Sequence, residues 1–280
     1  TLAPTADNTL PTWLQKSGYY TGLIGKYLNG YGIDVPPTHV PPGWNIWVAA
    51  VDPTNHSYYN YTLNENGTLY TYGSSTQDYK TDVLSNKAVD FISAQTNSPQ
   101  PFFLWLTPNA PHTGTGVNVP EPAPRHKGVF STLPLPQQLS FNESDISDKP
   151  QFIRDHVPLM DGASVSFATE SYRKRRETLL GVDEMVANII NALRAVGKLD
   201  NTYIIFTSDN GYFNGEHRMP FSKYLVYEES VRVPLIIRGP GIPAGETRNQ
   251  LVGNVDLPAT ILELAQTTAG RAQDGQSIMP

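Results

Sequence analysis

The chain has 280 residues, enough to bury a sizeable core as one large α/β domain or two modest ones. Its composition, 39% hydrophobic, 10% aromatic and only 16% charged, excludes a disordered polyelectrolyte, and no apolar run approaches the roughly 20 residues that cross a bilayer. With 20 Lys+Arg against 26 Asp+Glu the net charge is −6, which argues against nucleic acid and against a broad polyanion-binding surface.

The opening "DNTLPTWLQKSG" carries a helix-start signal at Asp7 and Asn8, apolar Leu10, Trp13 and Leu14, and a stop at Gly18. "YYTGLIGKYLNGYG" reads as a short strand feeding an irregular loop. Residues 34–56 are punctuated by Pro36, Pro37, Pro41, Pro42 and Pro53 and are expected to be loop. "SYYNYTLNENGTLYTYG" alternates on both sides of Asn66-Gly67, a strong hairpin signal. The spacing of Val83, Leu84, Ala88, Val89, Phe91 and Ile92 predicts a helix over about 78–95, and "PFFLWLT" follows as a buried strand. A proline-rich loop covers 114–160, and then "SYRKRRETLLGVDEMVANIINALRAVGKL" forms a long amphipathic helix. "YIIF" is a further buried strand, "VPLIIRGPG" another, and a last helix lies near "DLPATILELA". Strands alternating with helices imply one domain with a mostly parallel sheet flanked by helices.

The 280 residues contain no cysteine, so they offer neither a disulfide framework nor a thiol nucleophile. Four acceptor sequons, at Asn55, Asn60, Asn66 and Asn142, point to the secretory pathway, with a secreted or lysosomal destination. The chain starts without Met or an apolar leader and is expected to be a single, incomplete domain over 1–280, truncated at both ends.

In a parallel sheet the polar residues after "PFFLWL", after "YIIFTS" and in the loop 211–224 gather at one edge. His112, Asp209, Asn210, His217 and Lys223 then come within reach of one another. Asp and Asn are hard oxygen donors suited to Ca²⁺ or Mg²⁺ rather than to zinc, but one carboxylate and one amide fall short of the 6 to 8 oxygens calcium takes. By themselves Asp209-Asn210-Gly211 read as a turn, Lys26 and Lys223 as solvated lysines, and Arg173, Lys174, Arg175 and Arg176 as the wet face of the long helix.

Together these segments resemble the sulfatase family. "GYYTGLIGKYLNGYG" is similar to its second signature, whose core is Gly-Tyr-x-Thr, three residues, then Gly-Lys. "TSDNGYFNGEHRMPFSKYLVYEESVRVPLIIRGPGI" resembles the segment holding the family's carboxyl-side metal pair and second lysine, and the order of segments resembles the arylsulfatase and N-acetylglucosamine-6-sulfatase-like branch. The resemblance implies an alkaline-phosphatase-like α/β fold that hydrolyses sulfate esters, aryl or sugar, with bound Ca²⁺. It makes Asp209 and Asn210 metal ligands, places Lys26 and Lys223 on sulfate oxygens, and sets His112 beside the ester oxygen, to bind sulfate or assist the departing alcohol. His217 and Asn29 would face substrate. Many sulfatases carry His two residues after the first lysine, where this chain has Leu28 followed by Asn29. The family's nucleophile is a formylglycine made from the Cys of Cys-x-Pro-Ser-Arg, and an Asp pair completes its metal site; both precede the segment where this chain starts. The chain alone is therefore expected to be inactive. A phosphate or phosphonate monoester hydrolase of the same superfamily, a catalytically dead binder of sulfated glycans, and a fragment that does not fold remain alternatives. Oligomeric state is not legible.

Overall fold

The computed structural model describes residues 7–116 and 118–279. In chain order the elements are α1 (Leu10–Lys16), β1 (Tyr20–Lys26), β2 (Ile46–Ala50), β3 (Tyr61–Glu65), β4 (Thr68–Tyr72), α2 (Lys80–Ser93), β5 (Phe102–Thr107), α3 (Gln151–His156), α4 (Gly162–Ala195), β6 (Ile204–Thr207), α5 (Glu228–Val231), β7 (Leu235–Arg238) and α6 (Asp256–Leu264). A five-stranded sheet runs β4-β3-β2-β1-β5. Its centre is parallel, with β1 pairing both β2 and β5, and the β3–β4 hairpin extends it antiparallel.

Alternation along β1 builds the layers. Ile24 faces the core formed with Leu84, Phe91 and Ile92 of α2 and Leu193 of α4, while its neighbour Leu23 faces Trp47, Tyr31 and Ala49 on the other side. Each such side chain withdrawn from water contributes about 1.5–3 kcal/mol. The hairpin turns where the sequence places it: Asn66 and Gly67 both have positive φ, at 50° and 92°, the pairing a two-residue turn demands.

Several expectations change. A strand, β2, lies inside the proline-marked stretch 34–56 and forms one of the two parallel neighbours of β1. The prolines bracket it without entering it, and Trp47, Ala49 and Ala50 are buried. The long helix begins at Gly162, before the expected start, because Asp161 accepts the amide of Ser164 at 2.8 Å as an N-cap. A short helix, α3, interrupts the predicted loop. β5 is not fully buried: Trp105 is 49% exposed, because among the described residues no strand pairs with the side of β5 away from β1. β6 does not join the parallel sheet but pairs antiparallel with β7, and Phe206 is exposed.

Candidate active site

The three parallel strands point their carboxyl ends the same way, the usual position of a ligand site in an α/β sheet. Lys26 is the last residue of β1. Gly25 before it has φ +128°, and a Cβ there would collide with the carbonyl oxygen of Thr107, so β1 and β5 meet at a point only glycine fits. Thr107 Oγ1 donates to the carbonyl of Lys26 at 2.7 Å and fixes the strand end. Burial pushes the Lys26 ammonium below its ordinary pKa and the charge of Lys223 adds to this, while Asp209 and Asp52 act the other way. Lys26, Lys223 and Asp209 are thus close enough to interact.

His112 lies beyond β5. Tyr58, 2% exposed, donates its hydroxyl to the His112 carbonyl at 2.7 Å, and the ring Nδ1 lies 2.9 Å from the carbonyl oxygen of Thr113. A carbonyl only accepts, so Nδ1 carries the proton and Nε2 is the free acceptor in the neutral ring. Burial lowers the His112 pKa, the Thr113 carbonyl opposes this, and Lys223, Lys26 and Arg175 lower it further. Burial and these cations therefore favour the neutral ring.

Asp209 and Asn210 follow β6. The Asn210 amide donates to Asp209 Oδ1 at 2.8 Å, and Lys223 Nζ donates to Asn210 Oδ1 at 3.1 Å, bringing the second lysine to the pair. Asp209-Asn210-Gly211 is not a reversal that needs glycine's left-handed freedom, since Gly211 is not among the residues with positive φ. Glycine is required because the backbone packs on α5: Gly211 N donates to Ser230 O at 2.8 Å, and a Cβ would collide with the Glu229 carbonyl. Gly211→Ala is expected to destabilise the chain by about 1–3 kcal/mol; an unchanged urea midpoint would refute the close approach.

For calcium the two side chains are the right kind of donor but too few, two against 6 to 8. Among the described residues no group of three or more His, Cys, Asp or Glu could hold a metal.

The other expected residues lie in different settings. His217, expected to face substrate, is 8% exposed; Nδ1 lies 2.8 Å from Glu143 and Nε2 3.5 Å from Glu229, so its nitrogens serve the packing of the 211–227 loop. Asn29 is exposed beside Gly30, whose amide donates to Asp52 at 2.5 Å. Asn60 and Asn66 are exposed on the hairpin. Asn55 is 2% exposed, and both amide atoms of Asn142 bond the backbone of Met160.

Sequence reasoning missed His56. It follows β2, and its ring stacks on that of His112, with centroids 4.3 Å apart and planes 10° from parallel. Its Nε2 is sealed from solvent and has no hydrogen-bond partner among the described residues. Burial, then His112, Lys26, Lys80 and Lys223, lower its pKa to about 4, so it too is neutral at pH 7.

The sulfatase family model matches residues 1–267. The chain belongs to the sulfatase family. It is 40% identical to the N-acetylglucosamine-6-sulfatase of Bos taurus and 39% identical to that of Homo sapiens, in both cases over 98% of the chain. An arylsulfatase of Volvox carteri is 39% identical over 91%. The chain spans about half the length of the curated relatives it matches, 48% for the bovine sulfatase and 49% for the human one. Among solved structures, one in complex with its substrate D-glucosamine-2-N,6-O-disulfate superposes with a TM-score of 0.76 at 26% identity, covering 96% of this chain and 63% of that one. The fold is thus the alkaline-phosphatase-like α/β fold of sulfatases. A phosphonate monoester hydrolase from Silicibacter pomeroyi, 22% identical with a TM-score of 0.65 over 96% of this chain and 60% of its own, shares this sulfatase architecture.

Proposed function

We propose that this chain supplies the sulfate-holding side of a sulfuric ester hydrolase acting on 6-O-sulfated amino sugars. The observation that carries the reading is the convergence of Lys26, Lys223 and His112 with Asp209 and Asn210. Lys26 and Lys223 would grip non-bridging sulfate oxygens as preorganised positive charge, which stabilises the charge that develops on them in the transition state. His112 would take up a proton as the anion enters and hand it from Nε2 to the departing sugar oxygen. Asp209 and Asn210 would supply two of the oxygens around a Ca²⁺, whose contribution when bound is to neutralise sulfate charge; the remaining ligands and a formylglycine nucleophile would lie outside these 280 residues. The relatives named N-acetylglucosamine-6-sulfatase and the neighbour bound to D-glucosamine-2-N,6-O-disulfate support the sugar over an aryl ester.

Calorimetry on the chain tests the grip. Glucosamine 6-sulfate is expected to bind, and Lys26→Met or Lys223→Met to weaken it about 10- to 100-fold, the loss of one charged hydrogen bond. Equal affinity in both variants would remove the assignment.

We further propose passage through the secretory pathway, supported by the sequons and by relatives named extracellular sulfatases. Glycans are expected at Asn60 and Asn66 and absent from Asn55, since a buried amide cannot carry a glycan in the folded chain. Peptide mapping of the protein from a secreting host decides this; an occupied Asn55 in folded material would contradict the structure.

A further inference from the structure

The basic run on α4 does not behave as one solvated face. Arg173 donates to the Leu133 carbonyl at 2.7 Å, Lys174 pairs with Glu177 at 3.4 Å, and Arg176 lies over the ring of Tyr172. Arg175 turns inward. Its guanidinium lies 3.7 Å from the ring centre of Tyr212 and donates to the carbonyl of Pro111 at 3.2 Å. No carboxylate pairs with it among the described residues.

Those two partners are the point. Pro111 immediately precedes His112, and Tyr212 follows Asp209-Asn210-Gly211 directly. We propose that Arg175 is a positioning residue of this site, a clamp from α4 that ties the loop carrying His112 to the loop carrying Asp209 and Asn210. A planar fork suits the task, because one face stacks on an aromatic ring while an edge donates to a carbonyl, which an ammonium cannot reproduce. The two loops leave different sheets, β5 and β6, with no strand pairing between them among the described residues, so a side-chain clamp ties what no sheet ladder ties here.

The same cation acts on His112. That ring feels the charges of Lys26 from β1, Lys223 from the loop after β6 and Arg175 from α4, and stacks on His56 from the loop after β2. All three cations disfavour its imidazolium, and Arg175 makes no close carboxylate contact that would cancel its share. The consequence for catalysis rests on the sulfatase reading; the clamp does not.

The experiment uses the 280-residue chain without substrate, in two variants. Arg175→Met removes charge and fork, and Arg175→Lys keeps the charge and loses the fork. Amide exchange in segments 108–113 and 208–214 is expected to be at least about tenfold faster in both variants. The His112 titration midpoint, followed by NMR, is expected to rise in Arg175→Met and to stay in place in Arg175→Lys. Parent-like exchange in both loops of a folded Arg175→Met would overturn the clamp. Should that variant fail to fold, parent-like exchange in Arg175→Lys overturns it instead. A chain that meets both expectations yet binds no glucosamine 6-sulfate keeps the clamp and loses the substrate assignment.

Discussion

Assayed alone with Ca²⁺ and a fluorogenic sulfate ester, the 280 residues are expected to give no turnover above buffer, forfeiting an acceleration of at least ~10⁶-fold. On the proposed reading the site would hold and polarise a sulfate but would lack a group to attack it with. Lys26 and Lys223 are cations, Asp209 and Asn210 oxygen donors, and His112 and His56 imidazoles kept neutral by burial and by their charged neighbours. Of the hydroxyls around them, Thr107 Oγ1 is committed to the Lys26 carbonyl, Ser208 Oγ to that of Asn210 and Ser222 Oγ to that of Lys223, while Thr113 Oγ1 lies 3.4 Å from His112 Nδ1, and the chain has no cysteine from which a formylglycine could be made. Covalent catalysis needs a nucleophile activated by a neighbouring base. Sulfate binding and sulfate hydrolysis are therefore expected to separate in this chain. Metal-dependent turnover that co-purifies with the chain and disappears in Lys26→Met would mean that a nucleophile is present and the reading of the site is wrong.

How far the sequence revealed this site depends on how each residue is delivered. His112 was legible because it follows a strand whose apolar run is plain in the sequence, whereas Lys26, by itself read as a solvated lysine, entered only through the resemblance to the sulfatase signature, and the parallel pairing of β1 with β5 is what sets the two strand ends side by side. His56 was hidden for the converse reason. Its strand, β2, is only five residues long and framed by prolines, so the argument from strand ends had no strand to use, and the sequon at Asn55 drew attention to glycan rather than ring. Asp209-Asn210-Gly211 carried the composition of a turn, yet its glycine answers to the carbonyl of Glu229, a tertiary contact that turn statistics do not contain. Arg175 was lost in a charge run on α4, because each residue of a helix turns by about 100° from the last and four consecutive residues therefore face four ways. The antiparallel pairing of β6 with β7 was equally invisible, since alternation marks a strand and not its partner.

Lys80 yields the second large effect. It is 1% exposed at the start of α2, has its ammonium 4.6 Å from the centre of the Tyr61 ring, and donates to the carbonyls of Asn55 at 2.9 Å and Thr54 at 3.3 Å. Burial without a carboxylate lowers its pKa from 10.5 to about 7. The unfolded chain keeps this proton up to its ordinary pKa while the folded chain releases it near neutrality, so between those values the unfolded state binds more protons and stability rises with pH. The slope is about 1.4 kcal/mol per pH unit, or roughly 3 kcal/mol between pH 7.5 and 9.5. Lys26 is shifted in the same direction. The buried Tyr58 and Tyr79 and the half-buried Tyr72 are raised and act oppositely, but only above about pH 10, where unfolded tyrosines ionise first. The urea midpoint should therefore climb from pH 7.5 to 9.5, and Lys80→Met should flatten that climb whatever it does to stability at neutral pH. Parallel profiles for parent and variant would show that Lys80 keeps its proton. The bonds that Lys80 donates in this buried setting hold the Thr54–Asn55 backbone next to His56, so the variant should also loosen the stacked histidine pair.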